Sequence, residues 1–250
     1  MVLLVLAFSS ICGFTRSLSA GRDPETLSVR SRNLRVTLRS DLAGLQSVTD
    51  VKRKRTYVRE TEIPAPLYRL RLRGEDGRDV RLTSVDAEKR EASRTPEGLV
   101  LRFKHADEYD VTVACRISAT PRTRFVRWEM DLTNDSSLPV IQIDYPIAEC
   151  PVQLGPSAAD DAVLYPKFEG VLLTSPGRHF PDGASYGAVY PGHSSAQFAY
   201  FYDHAGGFYV AARDPDGHRK KIHISRSGQS LTFSYSHLLP SQVRERIELS

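Results

Sequence analysis

Tyr109-Asp110-Val111-Thr112-Val113-Ala114-Cys115-Arg116-Ile117 sets apolar side chains at every second position, with small or polar ones between them. Val126-Arg127-Trp128-Glu129-Met130-Asp131-Leu132 repeats the pattern with charges in the gaps. Successive side chains on a strand point to opposite faces, so this period buries one face and wets the other. The same period runs outward in both directions. Toward the N-terminus it picks out Leu34, Val36 and Leu38, then Tyr68, Leu70 and Leu72 between arginines, then Leu99, Leu101 and Phe103. Toward the C-terminus it picks out Ile141, Ile143 and Tyr145, Phe208 and Val210, Ile222 and Ile224, and Leu231, Phe233 and Tyr235.

Turn residues separate these runs: Gly74-Glu-Asp-Gly77, Pro96-Glu-Gly98, Asn134-Asp-Ser-Ser137, His204-Ala-Gly-Gly207, Asp214-Pro-Asp-Gly217 and Ser227-Gly228. No stretch carries a convincing helical stripe. Clean alternation marks antiparallel sheets, because parallel ones give continuous apolar runs. The predicted fold is all-β, a large two-sheet antiparallel β-sandwich spanning residues 20–250 as one domain.

The first nineteen residues read differently. Val2 to Ile11 is an apolar run too short to span a bilayer and fits the core of a secretory signal peptide. Ser17 and Ser19 would occupy the small positions before a cut at Ala20, although no Lys or Arg precedes the run. The expectation is a secreted, periplasmic or extracellular protein with no membrane span. Ile11 is too large to precede a lipidated Cys12. Loss of this segment removes Arg16 and no acid, one unit from the net charge of +4. Lys52-Arg53-Lys54-Arg55 is the one dense basic run, read as the exposed end of a strand or turn. Neither a nucleic-acid fold motif nor an aromatic recognition pattern accompanies it, so no nucleic-acid partner is expected.

Residues 151–192 break the rhythm, being rich in Pro, Gly, Asp and aromatics. They are expected to form an ordered insert over one end or face of the sandwich. Cys115 should point into the core. Cys115 and Cys150 are expected as two buried thiols, with a disulfide left open. Val243, Ile247 and Leu249 begin an alternation that stops at Ser250, which reads as a C-terminally truncated domain.

The search for catalytic chemistry finds little. Glu149, Asp160, Asp161, Glu169 and Asp182 are available acids, but glycoside hydrolysis needs two carboxylates across a cleft and nothing pairs these. Seven histidines include no helical i, i+4 pair and no Cys-x-x-Cys is present, so no metal is expected. Asp214-Pro-Asp-Gly217 lacks the further acids of a calcium loop and reads as a type I turn. No catalytic residue and no cofactor is assigned.

The ordered series Val163-Leu-Tyr-Pro166, Pro176-Gly177, Tyr190-Pro-Gly192, Gln197-Phe198, Tyr202-Asp203, Gly206-Gly-Phe-Tyr209 and Asp214 to Lys220 resembles the N-terminal β-supersandwich of galactose-mutarotase-like type. Such domains precede a (β/α)8 barrel in secreted glycoside-hydrolase-like proteins. The resemblance implies a non-catalytic sandwich that supports a C-terminal catalytic barrel and contributes to carbohydrate binding. Its alternatives are a free-standing carbohydrate-binding module and a mutarotase-like sugar epimerase. Sugars are held by flat aromatic faces with polar side chains in a concavity. In and immediately after the insert, Phe180, Tyr186 and Tyr190 with Arg178, His179, Asp182 and His193 supply both kinds.

Overall fold

The computed structural model describes residues 2–5, 27–61, 64–106, 108–239 and 245–249. It is almost entirely strand. In chain order the strands are β1 (Val2–Val5), β2 (Ser28–Arg30), β3 (Leu34–Leu38), β4 (Leu45–Asp50), β5 (Arg55–Arg59), β6 (Arg69–Arg73) and β7 (Asp79–Thr83). Next come β8 (Lys89–Thr95), β9 (Gly98–Lys104), β10 (Val111–Ser118), β11 (Phe125–Asn134), β12 (Val140–Pro151), β13 (Ala162–Tyr165) and β14 (Val171–Thr174). A single turn of helix, α1 (Pro176–His179), precedes β15 (Ser185–Tyr190), β16 (Phe198–Asp203), β17 (Gly206–Ala211), β18 (Lys220–Ser227), β19 (Ser230–Leu238) and β20 (Glu245–Leu249). Among the described residues, no helix is long and apolar enough to cross a membrane.

Two sheets carry the sandwich. The larger has ten strands in the order β14-β13-β16-β17-β1-β11-β10-β9-β8, with β20 also pairing β11. The facing sheet has six, ordered β15-β18-β19-β12-β6-β7. A third sheet, β2-β3-β4-β5, was not anticipated. Its strands β4 and β5 alternate poorly, because Thr49, Thr56, Arg55 and Arg59 dilute the apolar period.

Side-chain parity follows the alternation. From the ten-stranded sheet, Val113, Cys115, Trp128, Met130, Phe201 and Phe208 face inward. From the six-stranded sheet, Leu70, Ile143, Ile222, Phe233 and Tyr235 meet them. Phe233 contacts Phe201 at 6.1 Å and Phe208 at 5.9 Å between ring centroids, and Trp128 meets Tyr145 edge-on at 6.4 Å. Such aromatic pairs add roughly 0.5–1.5 kcal/mol beyond the area they bury.

The expected insert is more regular than its composition suggests. It supplies β13 and β14 to one edge of the ten-stranded sheet and β15 to one edge of the six-stranded sheet. Exposed positions on β14 hide the alternation, since Val171 and Leu172 are both open to solvent at that edge. Val2–Val5, inside the expected leader, forms β1. It pairs parallel with β17 (Leu3 opposite Tyr209) and with β11 (Leu3 opposite Phe125), the one parallel strand among the described ladders. Ser17, Ser19, Ala20 and Val243 lie outside the described residues.

Cys115 and Cys150 are both buried and unbridged. Burial raises both thiols well above their ordinary value. Native protein treated with an alkylating reagent should therefore leave Cys115 and Cys150 unmodified in a peptide map, and denaturant should expose both. Protection that persists in denaturant until a reductant is added would reveal a bridge instead.

Candidate functional site

Because Phe201 points inward, its neighbours Phe198, Tyr200 and Tyr202 on β16 point to the outer face of the ten-stranded sheet. Tyr209 on β17 does the same, since Phe208 and Val210 face the core. The pairing of Tyr200 with Tyr209 and of Phe198 with Ala211 sets these four rings side by side. Phe198 stacks on Tyr209 at 5.4 Å and Tyr200 on Tyr202 at 4.6 Å, while Tyr200 meets Tyr209 edge-on at 5.9 Å. All four are half-buried. Burial raises the Tyr200 and Tyr209 phenols above their ordinary value. The Tyr200, Tyr202 and Tyr209 hydroxyls have no hydrogen-bond partner among the described residues.

Gly207 makes the platform possible. A Cβ there would lie 2.4 Å from the Tyr202 Cβ, 2.5 Å from the Phe201 carbonyl oxygen and 2.7 Å from the Tyr200 ring. Only glycine lets the two tyrosines lie across β17. Farther along the same outer face, β10 and β11 present Arg116, Arg127, Glu129 and Asp131. Arg116 pairs with Asp131 at 2.6 Å, and burial raises the Glu129 carboxyl, with Arg127 and Arg116 pulling against it.

A polar knot closes the end of the sandwich beside the β16–β17 turn. Arg55 on β5 grips Asp203 with both guanidinium nitrogens, and Asp203 also accepts from the Ala205 and Gly206 amides at 2.8 and 3.0 Å. The Arg55 bond holds the Asp203 carboxyl below its ordinary range. Asp161 behaves oppositely. It is 1% exposed, its Oδ2 accepts from the Leu154 amide at 3.2 Å, and its Oδ1 has no partner among the described residues. Burial, with Asp203 and Asp160 nearby, raises this carboxyl to about 6. Asp160 itself pairs with exposed His204 at 2.8 Å.

At the other end, Lys220 is buried to 1% exposure. Its ammonium donates to Asp214 and, at 2.9 Å, to Gln197, and lies 5.6 Å from the Tyr190 ring centre. Asp214 accepts from the Asp216, Gly217 and His218 amides and pairs with the His218 ring at 3.1 Å. Burial opposes this carboxylate, but Lys220 and His218 outweigh it and hold it down to about 2. Asp214, Asp216 and His218 lie close enough to share an ion. The Lys220 ammonium already neutralises Asp214, and the loop serves as the turn expected from its sequence.

The seven sugar-contact residues expected from the insert do not converge. Arg178, His179 and Asp182 are exposed near the start of β15, where buried Phe180 stacks on half-exposed Tyr186 at 4.8 Å. Asp182 spends its carboxylate on the Gly183 and Gly228 amides. Tyr190 belongs to the Lys220 knot, and His193 contacts Phe168 at 5.6 Å. At about 3.3 Å per residue, Tyr186 and Tyr190 stand roughly 13 Å apart. The platform rings were missed as a group, although Phe198, Tyr202 and Tyr209 sat within the motif series. The signal was aromatics at the wet positions of a strand whose dry positions were already filled.

No protein-family model matches this chain, and no curated protein sequence does. Solved structures do. A galactose mutarotase related enzyme from Lactobacillus acidophilus aligns over 90% of this chain and 95% of its own, with TM-score 0.59 and 10% identity. An assigned aldose 1-epimerase from Escherichia coli K12 aligns over 90% and 96%, with TM-score 0.54 and 11% identity. An alpha-N-acetylgalactosaminidase from Bifidobacterium bifidum, in complex with GalNAc, aligns over 89% of this chain and 35% of its own, with TM-score 0.55 and 12% identity. The fold is that of the galactose mutarotase-like domains, as the motif series implied.

Two outcomes follow from this geometry. Gly207→Ala should cost about 1–3 kcal/mol by overpacking the platform, read as a lower denaturant midpoint. Asp161 titrates near 6 when folded and near ~3.9 when unfolded, so its contribution to stability is full below ~4 and is lost as pH rises through about 6. Asp161→Asn should raise unfolding free energy above the parent's at pH 7.5 and match it near pH 4.

Proposed function

We propose that this chain is a non-catalytic, exported carbohydrate-binding sandwich that supports a glycoside-hydrolase barrel, with sugar lying on the Phe198–Tyr200–Tyr202–Tyr209 platform. The platform carries the reading: four half-buried rings share one outer sheet face, with three hydroxyls lacking described partners. Flat rings with a polar handle suit sugar faces. The match to the Bifidobacterium enzyme over 35% of its length supports a role as one part of a larger hydrolase. Arg178, His179, Phe180, Asp182 and Tyr186 at one end, and Tyr190 and His193 at the other, are secondary contact candidates.

A sugar-epimerase reading draws on the alignment over 95% of the Lactobacillus enzyme. Proton transfer at a sugar ring is commonly served by histidine. Among the described residues, no histidine lies on the outward positions of β16, β17, β11 or β10. That favours binding over epimerisation.

Calorimetry against a panel of neutral oligosaccharides tests the proposal. Tyr200→Ala should weaken the best ligand about tenfold or more, equivalent to ~1.4 kcal/mol. Tyr186→Ala and Tyr190→Ala should change it far less. The purified chain should release no nitrophenol from aryl glycosides and should leave the polarimetric mutarotation of galactose at its spontaneous rate. Heat unaffected by Tyr200→Ala moves the site off the platform, and catalysed mutarotation replaces the binding reading with the epimerase one.

A further inference from the structure

The basic run at residues 52–55 takes on a shape in the folded chain that its sequence did not disclose. Lys52 and Arg53, in the β4–β5 turn, line a cleft of about 600 Å³ together with Arg30, Arg32 and Arg124. Among the described residues five cations line it and no carboxylate does. All five side chains belong to exposed residues. Several surface arginines elsewhere pair with acids, as in Arg69–Asp144, Arg73–Asp79 and Arg116–Asp131. Here only Arg53 has a described partner, buried Asp50 at 3.0 Å, while Arg30, Arg32, Lys52 and Arg124 form no ion pair among the described residues.

The walls of the cleft are built. The Arg32 amide donates to the Thr123 carbonyl at 2.8 Å, and the Val51 amide to the Asn33 carbonyl at 2.8 Å. Asp50 receives the Lys52 and Arg53 amides, each at 2.9 Å. Three separate loops are thereby fixed with their cations converging. Like charges gathered in a concavity repel one another and focus a field that favours an anion.

The cleft adjoins the aromatic platform. β17 and β11 run parallel through β1, which sets Tyr209 level with Phe125 and places Arg124 beside the β16–β17 hairpin. The Arg53 Nε lies 3.6 Å from where a Cβ on Gly206 would sit, at the turn of that hairpin. We infer that the cleft binds the sulfate or carboxylate groups of an acidic polysaccharide whose sugar rings continue onto the platform. The choice of a glycan rests on the proposed function. The anion preference rests on the cleft alone. Among the described residues no aromatic side chain is interleaved with the cations of the cleft itself, as a groove tracking a nucleic-acid backbone would require, which favours a sugar acid.

Titration calorimetry with four probes of matched length tests it: a sulfated hexasaccharide, a hexagalacturonate, neutral maltohexaose and single-stranded oligothymidylate. Wild type and Arg32→Ala/Arg124→Ala should share one unfolding midpoint within error, since the two arginines are exposed, and the packed Tyr200→Ala variant is titrated well below its own midpoint. The acidic sugars should bind about tenfold or more tighter than the neutral one and lose that advantage in about 0.5 M salt, where screening acts within ~4 Å. The arginine variant should lose the same factor for acidic sugars and nothing for the neutral one. The stronger of the two acidic probes identifies sulfate or carboxylate as the preferred group. Equal binding of acidic and neutral sugars, or an arginine variant like wild type, overturns the cleft proposal and leaves the platform standing. Tightest binding of the oligothymidylate overturns the ligand class. If Tyr200→Ala leaves acidic binding intact while the arginine variant abolishes it, the cleft holds and the platform reading fails.

Discussion

Phe233 of the six-stranded sheet packs between Phe201 and Phe208 of the ten-stranded one. This contact fixes which way β16 and β17 face. A slip of one residue on either strand would exchange inner for outer side chains along its whole length. With Phe201 and Phe208 held inward, Tyr200, Tyr202 and Tyr209 have no option but the outer face. The aromatic platform is thus the reverse side of the core, and a core substitution that altered parity would erase it without touching a platform ring. Gly207 adds the local condition, because parity alone places the rings but does not let them lie flat.

The third sheet links this surface to the charges beside it. Arg55 on β5 grips Asp203 at the end of β16, and the turn immediately before β5 carries Lys52 and Arg53. One buried ion pair therefore fixes the height of the basic loops against the hairpin. Breaking such a pair by removing one partner leaves an uncompensated charge behind, which is costlier than the pair is stabilising. Asp161, close by and short of a partner, is already on the unfavourable side of that balance at neutral pH.

Much of the architecture was readable because period-two patterning is a direct image of burial. β10 and β11 follow their sequence pattern residue by residue, whereas β18 also buries Lys220 and β19 buries Ser234, Ser236 and His237 beside its apolar positions. β4, β5, β13 and β14 were harder. Short or edge strands bury less, so their sequences are under less obligation to alternate, and β14 shows Val171 and Leu172 exposed together. The candidate site was legible only in part. Aromatic richness within 151–192 pointed to one cluster, yet β15 carries Tyr186 and Tyr190 to opposite ends of the sandwich. The dense basic run was visible as charge. Its companions come from the end of β2 (Arg30), the β2–β3 turn (Arg32) and the β10–β11 loop (Arg124), and no linear pattern reports such convergence.

β1 has a consequence for the whole larger sheet. Among the described strands it alone joins β14-β13-β16-β17 on one side to β11-β10-β9-β8 on the other. The same few residues read as the greasy heart of an export leader. Without that strand the larger sheet has an open seam, and its two halves are held together by the facing sheet and the core between them. The backbone groups of Phe208–Ala211 and Phe125–Arg127 therefore share one strand as their lateral partner, and the continuity of the ten-stranded sheet rests on the four residues of that strand.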